Sequence, residues 1–249
     1  MLLGAREAML AGGDEPAPPT PIGPYDAEIE YIQVDGGKGT YVDTGYNTDG
    51  VGITVEGQWR TTDSTSGEVL PLVGIEDNAS VVVLISIISF QQRVILVALY
   101  MTQDRWGGID STMRYEPLYV GGYSSEQLTI KASFGDAAKT IPAKVKIDEY
   151  PQATVESSSA AAVTSTKGSL LLFKGYYYQY GSNVTCTSDI KCHYVQIKQD
   201  GILVRDFIPV RIGTTGYFYD RANPTGGPLG NGLYPSSGTG DFVLGPDKT

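Results

Sequence analysis

Histidine, cysteine and basic residues are all scarce in this sequence. The 249 residues include one His, two Cys and 18 Lys and Arg against 28 Asp and Glu, so the formal net charge is -10. No run of Lys or Arg occurs that could displace counterions from a phosphate backbone, and we therefore exclude nucleic acid as a partner.

The shortage of His and Cys also limits nucleophilic chemistry. His193 directly follows Cys192, and neighbours on a strand point to opposite faces, which argues against a Cys–His dyad. No nucleophile elbow accompanies His193 as a serine triad would require. Four zinc ligands at recognised spacing are also missing. Cys186 and Cys192 flank a five-residue stretch and either form a hairpin disulfide in an oxidising compartment or remain free thiols, the default without an export signal.

A long uninterrupted apolar run is likewise missing. The most apolar segment, SVVVLISIISFQQRVILVALY, is broken by Gln91, Gln92 and Arg93. A membrane span needs about 20 consecutive apolar residues. We therefore predict two buried strands joined by a polar turn, and no membrane partner.

The first 13 residues predict a short docking helix. Leu2, Ala5 and Met9 follow i, i+3, i+7 spacing, and Leu3 and Leu10 lie beside them. The charged pair Arg6–Glu7 interrupts the apolar stretch, so neither a signal peptide nor a membrane anchor is expected. Because so short a helix is marginal in water, it should be ordered only against a partner; the alternative is a frayed tail. Residues 14–25 are rich in Pro and predict a linker.

Residues 26–249 predict one all-β domain. Short β-favouring runs alternate with turns rich in Gly, Ser and Asn, and Asp200-Gly201 between two such runs is a strong hairpin signal. Many short strands with frequent turns are typical of a sandwich or barrel.

Motifs at both ends of this domain carry a family resemblance. They are Glu30-Tyr31-Ile32, Tyr41-Val42-Asp43-Thr44-Gly45, the run Leu203–Pro209 (LVRDFIP), the run Gly216–Asp220 (GYFYD) and the run Ser237–Phe242 (SGTGDF). In these motifs the chain resembles the LamG-like, concanavalin A-like modules of gut Bacteroidales and their bacteriophages. The resemblance implies a concanavalin A-like antiparallel β-sandwich. It is specific for fold, since function lives in sites grafted onto folds.

The closing motif LVRDFIP predicts which of its side chains share a face of the strand. Alternation puts Leu203, Arg205 and Phe207 on one face and Val204, Asp206 and Ile208 on the other. Arg205 and Asp206 should therefore have different partners, in a role that fixes register. Pro209 should end the ladder or mark an edge.

The resemblance also raises the question of calcium, which many relatives of this fold bind through loop oxygens. The loop candidates are Glu76, Asp77, Asp104, Asp110 and Asp220. No spacing selects among them, so we name no metal site and expect no cofactor, with calcium left open.

Carbohydrate contact is the molecular activity we expect beyond scaffolding. Trp106 lies in a Gly-bearing loop near Asp104, and Tyr178 and Tyr180 would share one strand face. For these tyrosines a half-buried strand or a subunit interface is the alternative. The Glu-x-Asp-x-x-Glu pattern of concanavalin A-like glycoside hydrolases does not occur, and Asp148 and Glu149 should face opposite ways.

Together these features predict a non-enzymatic structural protein of a bacteriophage virion, a head or tail decoration or a fibre component. Residues 1–13 would dock into another virion protein after assembly in the host cytoplasm. The sandwich would face outward, with a host-surface glycan as a further expected partner and a homo-oligomer left open. The alternatives are a bacterial surface glycan-binding module and, ranked third, a glycoside hydrolase.

Overall fold

The structure is a computed structural model. It describes residues 23–35, 37–61, 69–76, 81–90, 93–100, 114–123, 127–134, 144–156, 168–177, 182–185 and 189–249. The predicted docking helix over 1–13 and most of the predicted linker lie outside these ranges. Within them, no helix is long and apolar enough to cross a membrane.

Every regular element of the described residues is a β-strand. The strands are β1 (Ala27–Glu28), β2 (Ile32–Val34), β3 (Val42–Thr48), β4 (Ile53–Thr61), β5 (Val69–Glu76), β6 (Val81–Phe90), β7 (Arg93–Tyr100), β8 (Arg114–Tyr123), β9 (Gln127–Phe134), β10 (Lys144–Ile147), β11 (Tyr150–Glu156), β12 (Gly168–Leu172), β13 (Lys174–Tyr177), β14 (Ser182–Thr185), β15 (Ile190–Gln199), β16 (Ile202–Ile212), β17 (Thr215–Asp220), β18 (Leu233–Tyr234) and β19 (Phe242–Leu244). The predicted all-β class is confirmed.

The strands form two large antiparallel sheets and one small one. The eleven-stranded sheet has the order β11-β10-β9-β4-β15-β16-β17-β18, with β1 beside β16 and β2 between β15 and β19. The six-stranded sheet has the order β3-β12-β5-β6-β7-β8, and β13 and β14 pair separately. This arrangement is consistent with a β-sandwich.

One core contains side chains from both large sheets. Alternation along β4 buries Ile53, Val55 and Trp59 completely, and they cluster with Leu72 of β5 and Leu170 of β12. Fully burying a large apolar side chain contributes about 1.5–3 kcal/mol. The period-2 pattern of the sequence thus becomes the inner face of the sandwich.

The strand β16 is covered on both faces. Phe207 enters the main core, whereas Ile208 and Val210 pack in a second cluster with Tyr25 and Tyr219. Of the two alternatives predicted for Pro209, the first, that it ends the ladder, is wrong, because β16 continues to Ile212. The Pro209 carbonyl accepts a hydrogen bond from Ile29 N at 3.1 Å, next to the two-residue strand β1.

The predicted hairpin at Asp200-Gly201 is confirmed, and so are two paired strands in the apolar segment, whereas the burial predicted for these two strands stays a prediction. Asp200 and Gly201 have φ values of +50° and +80°, the positive angles that a tight two-residue turn between twisted strands requires. The segment SVVVLISIISFQQRVILVALY forms β6 and β7, paired from Phe90↔Arg93 onward, so Arg93 belongs to the strand and not to the turn.

The two ends of the described sandwich meet at one edge of the large sheet. Ala27 of β1 pairs with Arg211 of β16, and Lys248 N donates to Glu28 O at 2.9 Å. The Arg211 side chain binds Asp247 through two hydrogen bonds of 2.6 Å. We call this edge the leader end, because residues 1–22 join the sandwich here.

Candidate functional site

A polar groove lies at the other end of β16, where the β3–β4 turn meets the β15–β16 hairpin. Its volume is about 300 Å³, at the small end of the range for ligand sites. We call it the Tyr46 groove. It is lined by Tyr46, Asn47, Thr48, Asp49, Val51, Gln199 and Asp200.

Local hydrogen bonds shape the β3–β4 turn. Thr48 Oγ1 accepts from Gly50 N at 2.9 Å, and Asp49 Oδ1 accepts from Val51 N at 3.0 Å. Such side-chain-to-backbone bonds two residues apart are the reason that Asp and Thr favour turns. Gly50 takes φ +84°, a conformation in which glycine is favoured.

Further hydrogen bonds join this turn to the β15–β16 hairpin. Asp200 N donates to Gly52 O at 2.9 Å, and Gln199 Nε2 donates to Val51 O at 2.8 Å. A Cβ on Gly52, whose φ is +71°, would collide with the Asp200 carboxylate. The two walls of the groove are therefore fixed relative to each other.

Tyr46 connects the groove to the ion pairs beneath it. The Arg205 guanidinium lies 5.3 Å from the Tyr46 ring centroid, within range of a cation–π contact. Burial raises the pKa of the Tyr46 phenol, which therefore stays protonated near neutral pH. Its hydroxyl points toward Gln199 Oε1, 3.5 Å away.

Arg205 is held between strands. Its Nε donates to Thr44 O at 3.2 Å and its Nη1 donates to Val204 O at 2.7 Å. Nε also lies 3.5 Å from Asp220 Oδ2, an ionic contact rather than a hydrogen bond. The guanidinium thus fastens β16 to β3 of the opposite sheet.

Asp220 is fully buried at the end of β17. Its Oδ1 accepts from Asp206 N at 2.9 Å and from Ala222 N at 3.0 Å. Burial raises the pKa of Asp220 despite these donors and Arg205. Asp220, one of the five loop candidates for calcium, does not lie in a loop but is the last residue of β17, where its carboxylate is fully buried.

Asp206 pairs with a different arginine, as the alternation of the closing motif predicted. Arg221 Nε and Nη2 donate to the two Asp206 oxygens at 2.9 and 3.1 Å, and Gln196 Nε2 adds a bond of 3.1 Å. The separate partners of Arg205 and Asp206 are confirmed.

His193 and Cys192 occupy a β-bulge. The register of β15 against β4 shifts between Cys192 and Tyr194, so His193 is the extra residue. The Cys192 thiol is free and lies completely in the core, where burial raises its pKa. The His193 ring lies 5.7 Å from that of Tyr31, and burial lowers its pKa. This arrangement agrees with the expectation that the two residues form no dyad.

Carboxylates on the outer face of the large sheet share a lysine. Glu56 and Asp148 contact Lys131 Nζ at 3.4 and 2.9 Å. Hydrogen bonds from Lys131 and Lys146 lower the pKa of Asp148, whereas a general acid needs a raised pKa. Asp148 and Glu149 lie in a turn and not on two faces of one strand, and Glu149 accepts from Thr129 N at 2.9 and 2.8 Å.

Most site residues expected from the sequence lie outside the described residues. They are the docking residues Leu2, Leu3, Ala5, Met9 and Leu10, the carbohydrate candidates Asp104, Trp106, Tyr178 and Tyr180, and the calcium candidates Asp77 and Asp110. Glu76, expected in a loop, is the last residue of β5 and pairs with Ser169. Among the described residues, no group of three or more His, Cys, Asp or Glu side chains could hold a metal.

Comparisons with known proteins do not identify a family for this chain. No family model matches the chain, and no curated protein matches it. Among solved structures, one similar chain is that of scytalido-glutamic peptidase with a transition state analog inhibitor. The identity is 12% and the TM-score 0.29, over 86% of this chain and 99% of that one. A similarity this low carries no argument about activity.

Proposed function

We propose that this chain is a non-enzymatic structural protein of a bacteriophage virion, a concanavalin A-like sandwich displayed on the head or tail. Its apolar leader, residues 1–13, docks into another virion protein, and residues 14–25 serve as the spacer. The resemblance of its end motifs to phage-encoded LamG-like modules supports this proposal.

The observation that carries the proposal is the position of the leader end relative to the Tyr46 groove. Ala27 pairs near the last residue of β16, whereas Gln199 pairs with its first residue, Ile202. At about 3.3 Å per residue, the ends of this strand lie roughly 30 Å apart. A module attached through its leader would present the groove on the side away from the attachment, as display requires.

Particle incorporation tests the proposal. Deleting residues 1–13 should abolish co-sedimentation of the tagged chain with nuclease-resistant particles, because the apolar contact is lost. The purified variant should melt at the temperature of the full chain, because the docking proposal assigns residues 1–13 to a contact with another protein and not to the sandwich.

A matched pair of variants separates docking from a general effect of the leader. Replacing Leu2, Leu3 and Leu10 with Ser should reduce incorporation as strongly as the deletion. Replacing Arg6 and Glu7 with Gln should leave incorporation unchanged, because the apolar face remains. Incorporation of the triple-Ser variant at the level of the full chain would contradict docking by this face.

A bacterial surface glycan-binding module is the second candidate, favoured by the polar lining of the Tyr46 groove. It predicts recovery of the chain in the envelope or the medium, and that result would overturn the virion proposal. A glycoside hydrolase ranks third, because the Glu-x-Asp-x-x-Glu pattern of concanavalin A-like hydrolases does not occur in the sequence. Release of reducing ends from a polysaccharide by the purified chain would instead favour the hydrolase.

A further inference from the structure

We propose that the Tyr46 groove binds the end of a neutral glycan directly, with Asp200 and Tyr46 as its principal polar contacts. This inference rests on the proposed display function, because a displayed module needs a recognition surface on the side away from its leader. It names a site that differs from the predicted aromatic residues Trp106, Tyr178 and Tyr180.

The chemistry of the lining suits a ligand rich in hydroxyl groups. Such a ligand both donates and accepts hydrogen bonds, so its site needs carboxylate or amide oxygens together with donors. Asp200 Oδ2 accepts from Gln199 Nε2 at 3.0 Å, which leaves Oδ1 as an acceptor at the exposed hairpin. The Tyr46 hydroxyl is directed at Gln199 Oε1 and offers its oxygen as an acceptor, whereas the side-chain amide of Asn47, also in the lining, supplies donors.

The charge of the groove selects against acidic ligands. Asp49 and Asp200 line it, and no Lys or Arg is found among its described lining residues. Arg205 lies beneath the Tyr46 ring and is engaged by Asp220 and two backbone carbonyls. A sialic acid or uronate carboxylate would therefore meet the like charges of Asp49 and Asp200, and such juxtaposition is costly.

The groove is also organised before any ligand arrives. The hydrogen bonds from Asp200 N to Gly52 O and from Gln199 Nε2 to Val51 O fix its two walls. A rigid site loses less conformational entropy when it binds. Ile202, which pairs with Gln199 and is 70% exposed, adds an apolar side chain close to the groove for the C–H face of a sugar.

The size of the groove limits the ligand. A volume of about 300 Å³ matches the terminal one or two rings of a chain better than an extended polysaccharide segment. We therefore expect recognition of the ends of glycans and weak discrimination of the residues behind them.

The test uses the full chain and a surface panel of neutral oligosaccharides, each with a sialylated or uronate-bearing counterpart. Binding should occur to one or more neutral glycans and be at least about tenfold weaker to the acidic counterpart. Asp200→Asn should weaken binding about tenfold, as expected for the loss of a charge-assisted hydrogen bond. Asn preserves the turn because it tolerates the left-handed conformation.

Tyr46→Phe should weaken binding about fivefold through the lost hydroxyl. The matched controls are Tyr217→Phe and the exposed Asp241→Asn. Both residues lie outside the groove lining, and Tyr217 pairs with Val210 toward the leader end of β16. Both control variants should bind as the unmodified chain does.

Three results would overturn the inference. The first is the absence of binding to every neutral glycan. The second is binding that Trp106→Ala abolishes while the Asp200 and Tyr46 variants keep it, which would place the site elsewhere. The third is binding lost in EDTA, which would mean recognition through a bound cation. None of them affects particle incorporation, so failure of the glycan site is distinguishable from failure of the display function.

Discussion

Two aspartates that contact arginines of β16 differ in burial and in the direction of their pKa shifts. Asp220, against Arg205, is fully buried, and burial raises its pKa. Asp247, against Arg211, is exposed, and the hydrogen bond from Arg211 lowers its pKa. The comparison teaches that an arginine–carboxylate pair does not by itself reveal whether the charge of the acid stabilises the fold.

The difference arises from what surrounds each carboxylate. Asp220 lies among buried groups, where removal of water disfavours the ionised form. Its main structural contribution is as the acceptor for the N–H groups of Asp206 and Ala222. Asp247 keeps most of its contact with water, so the hydrogen bond from Arg211 outweighs the desolvation of the carboxylate.

The largest expected effect comes from removing the buried acceptor. Asp220→Ala should lower the free energy of unfolding by about 3–5 kcal/mol, because two backbone donors lose their partner and Arg205 loses its counterion. Asp220→Asn keeps an acceptor oxygen and should cost at least about 2 kcal/mol less than Ala. Urea denaturation of both variants measures the difference.

The exposed Asp241→Asn is the control and should change stability by less than about 0.5 kcal/mol. Equal losses for Asp220→Ala and Asp220→Asn would contradict the interpretation. They would mean that the charge of Asp220 matters more than its role as an acceptor.

A smaller effect is expected from the pair formed by half-exposed Arg221 and buried Asp206. Arg221→Gln should cost at most about 1 kcal/mol, because water screens the Arg221 guanidinium and Asp206 retains its bond from Gln196. The loss should shrink further in high salt. A loss as large as that of Asp220→Ala would show that exposure is a poor guide to the strength of these pairs.

The smallest effect is a difference in pH dependence between the two aspartates. Asp220, with a pKa raised above its ordinary 3.8, protonates more readily in the folded state than in the unfolded state. Its contribution to stability therefore rises as pH falls from the raised pKa toward 3.8. Asp247 has a lowered pKa, so its contribution is present above 3.8 and is lost as pH falls through the folded-state value.

Unfolding free energies between about pH 7 and pH 3 test this difference. On acidification the stability of the unmodified chain relative to Asp220→Asn should grow, whereas its stability relative to Asp247→Asn should shrink. His193 titrates in all three proteins, so its contribution cancels in both comparisons. Parallel slopes for the two variants would contradict the opposite pKa shifts.

Local signals in the sequence were sufficient for several elements of this fold. Asp200-Gly201 predicted its hairpin because few residues other than Gly, Asn and Asp accept positive φ. The polar residues Gln91 and Gln92 correctly predicted that the apolar segment contains two strands, β6 and β7. The alternation around Arg205 and Asp206 correctly predicted two separate partners. It was wrong for Val204, because the register shifts at that residue and Val204 packs against the same core as Phe207.

Which residues become the partners of Arg205 and Asp206 depends on the chain topology, and a local sequence pattern carries no information about topology. Asp220 was interpreted as a loop acid because nothing near it in sequence indicates that Arg205 and two backbone donors surround it. Pro209 was expected to end the ladder or to mark an edge; the ladder continues to Ile212, and the short β1 lies next to Pro209. The Tyr46 groove joins residues 153 positions apart. No local pattern in the sequence indicates that the β3–β4 turn and the β15–β16 hairpin lie against each other.

The meeting of residues 28 and 248 at one edge has a consequence for how this sandwich can be rearranged. Domains whose ends lie side by side tolerate circular permutation and insertion into other chains. The hydrogen bond from Lys248 N to Glu28 O places the two ends within reach of a short linker. The sandwich is therefore suited to exchange as a cassette, spliced into a surface loop of an unrelated host protein without a change in its own strand order.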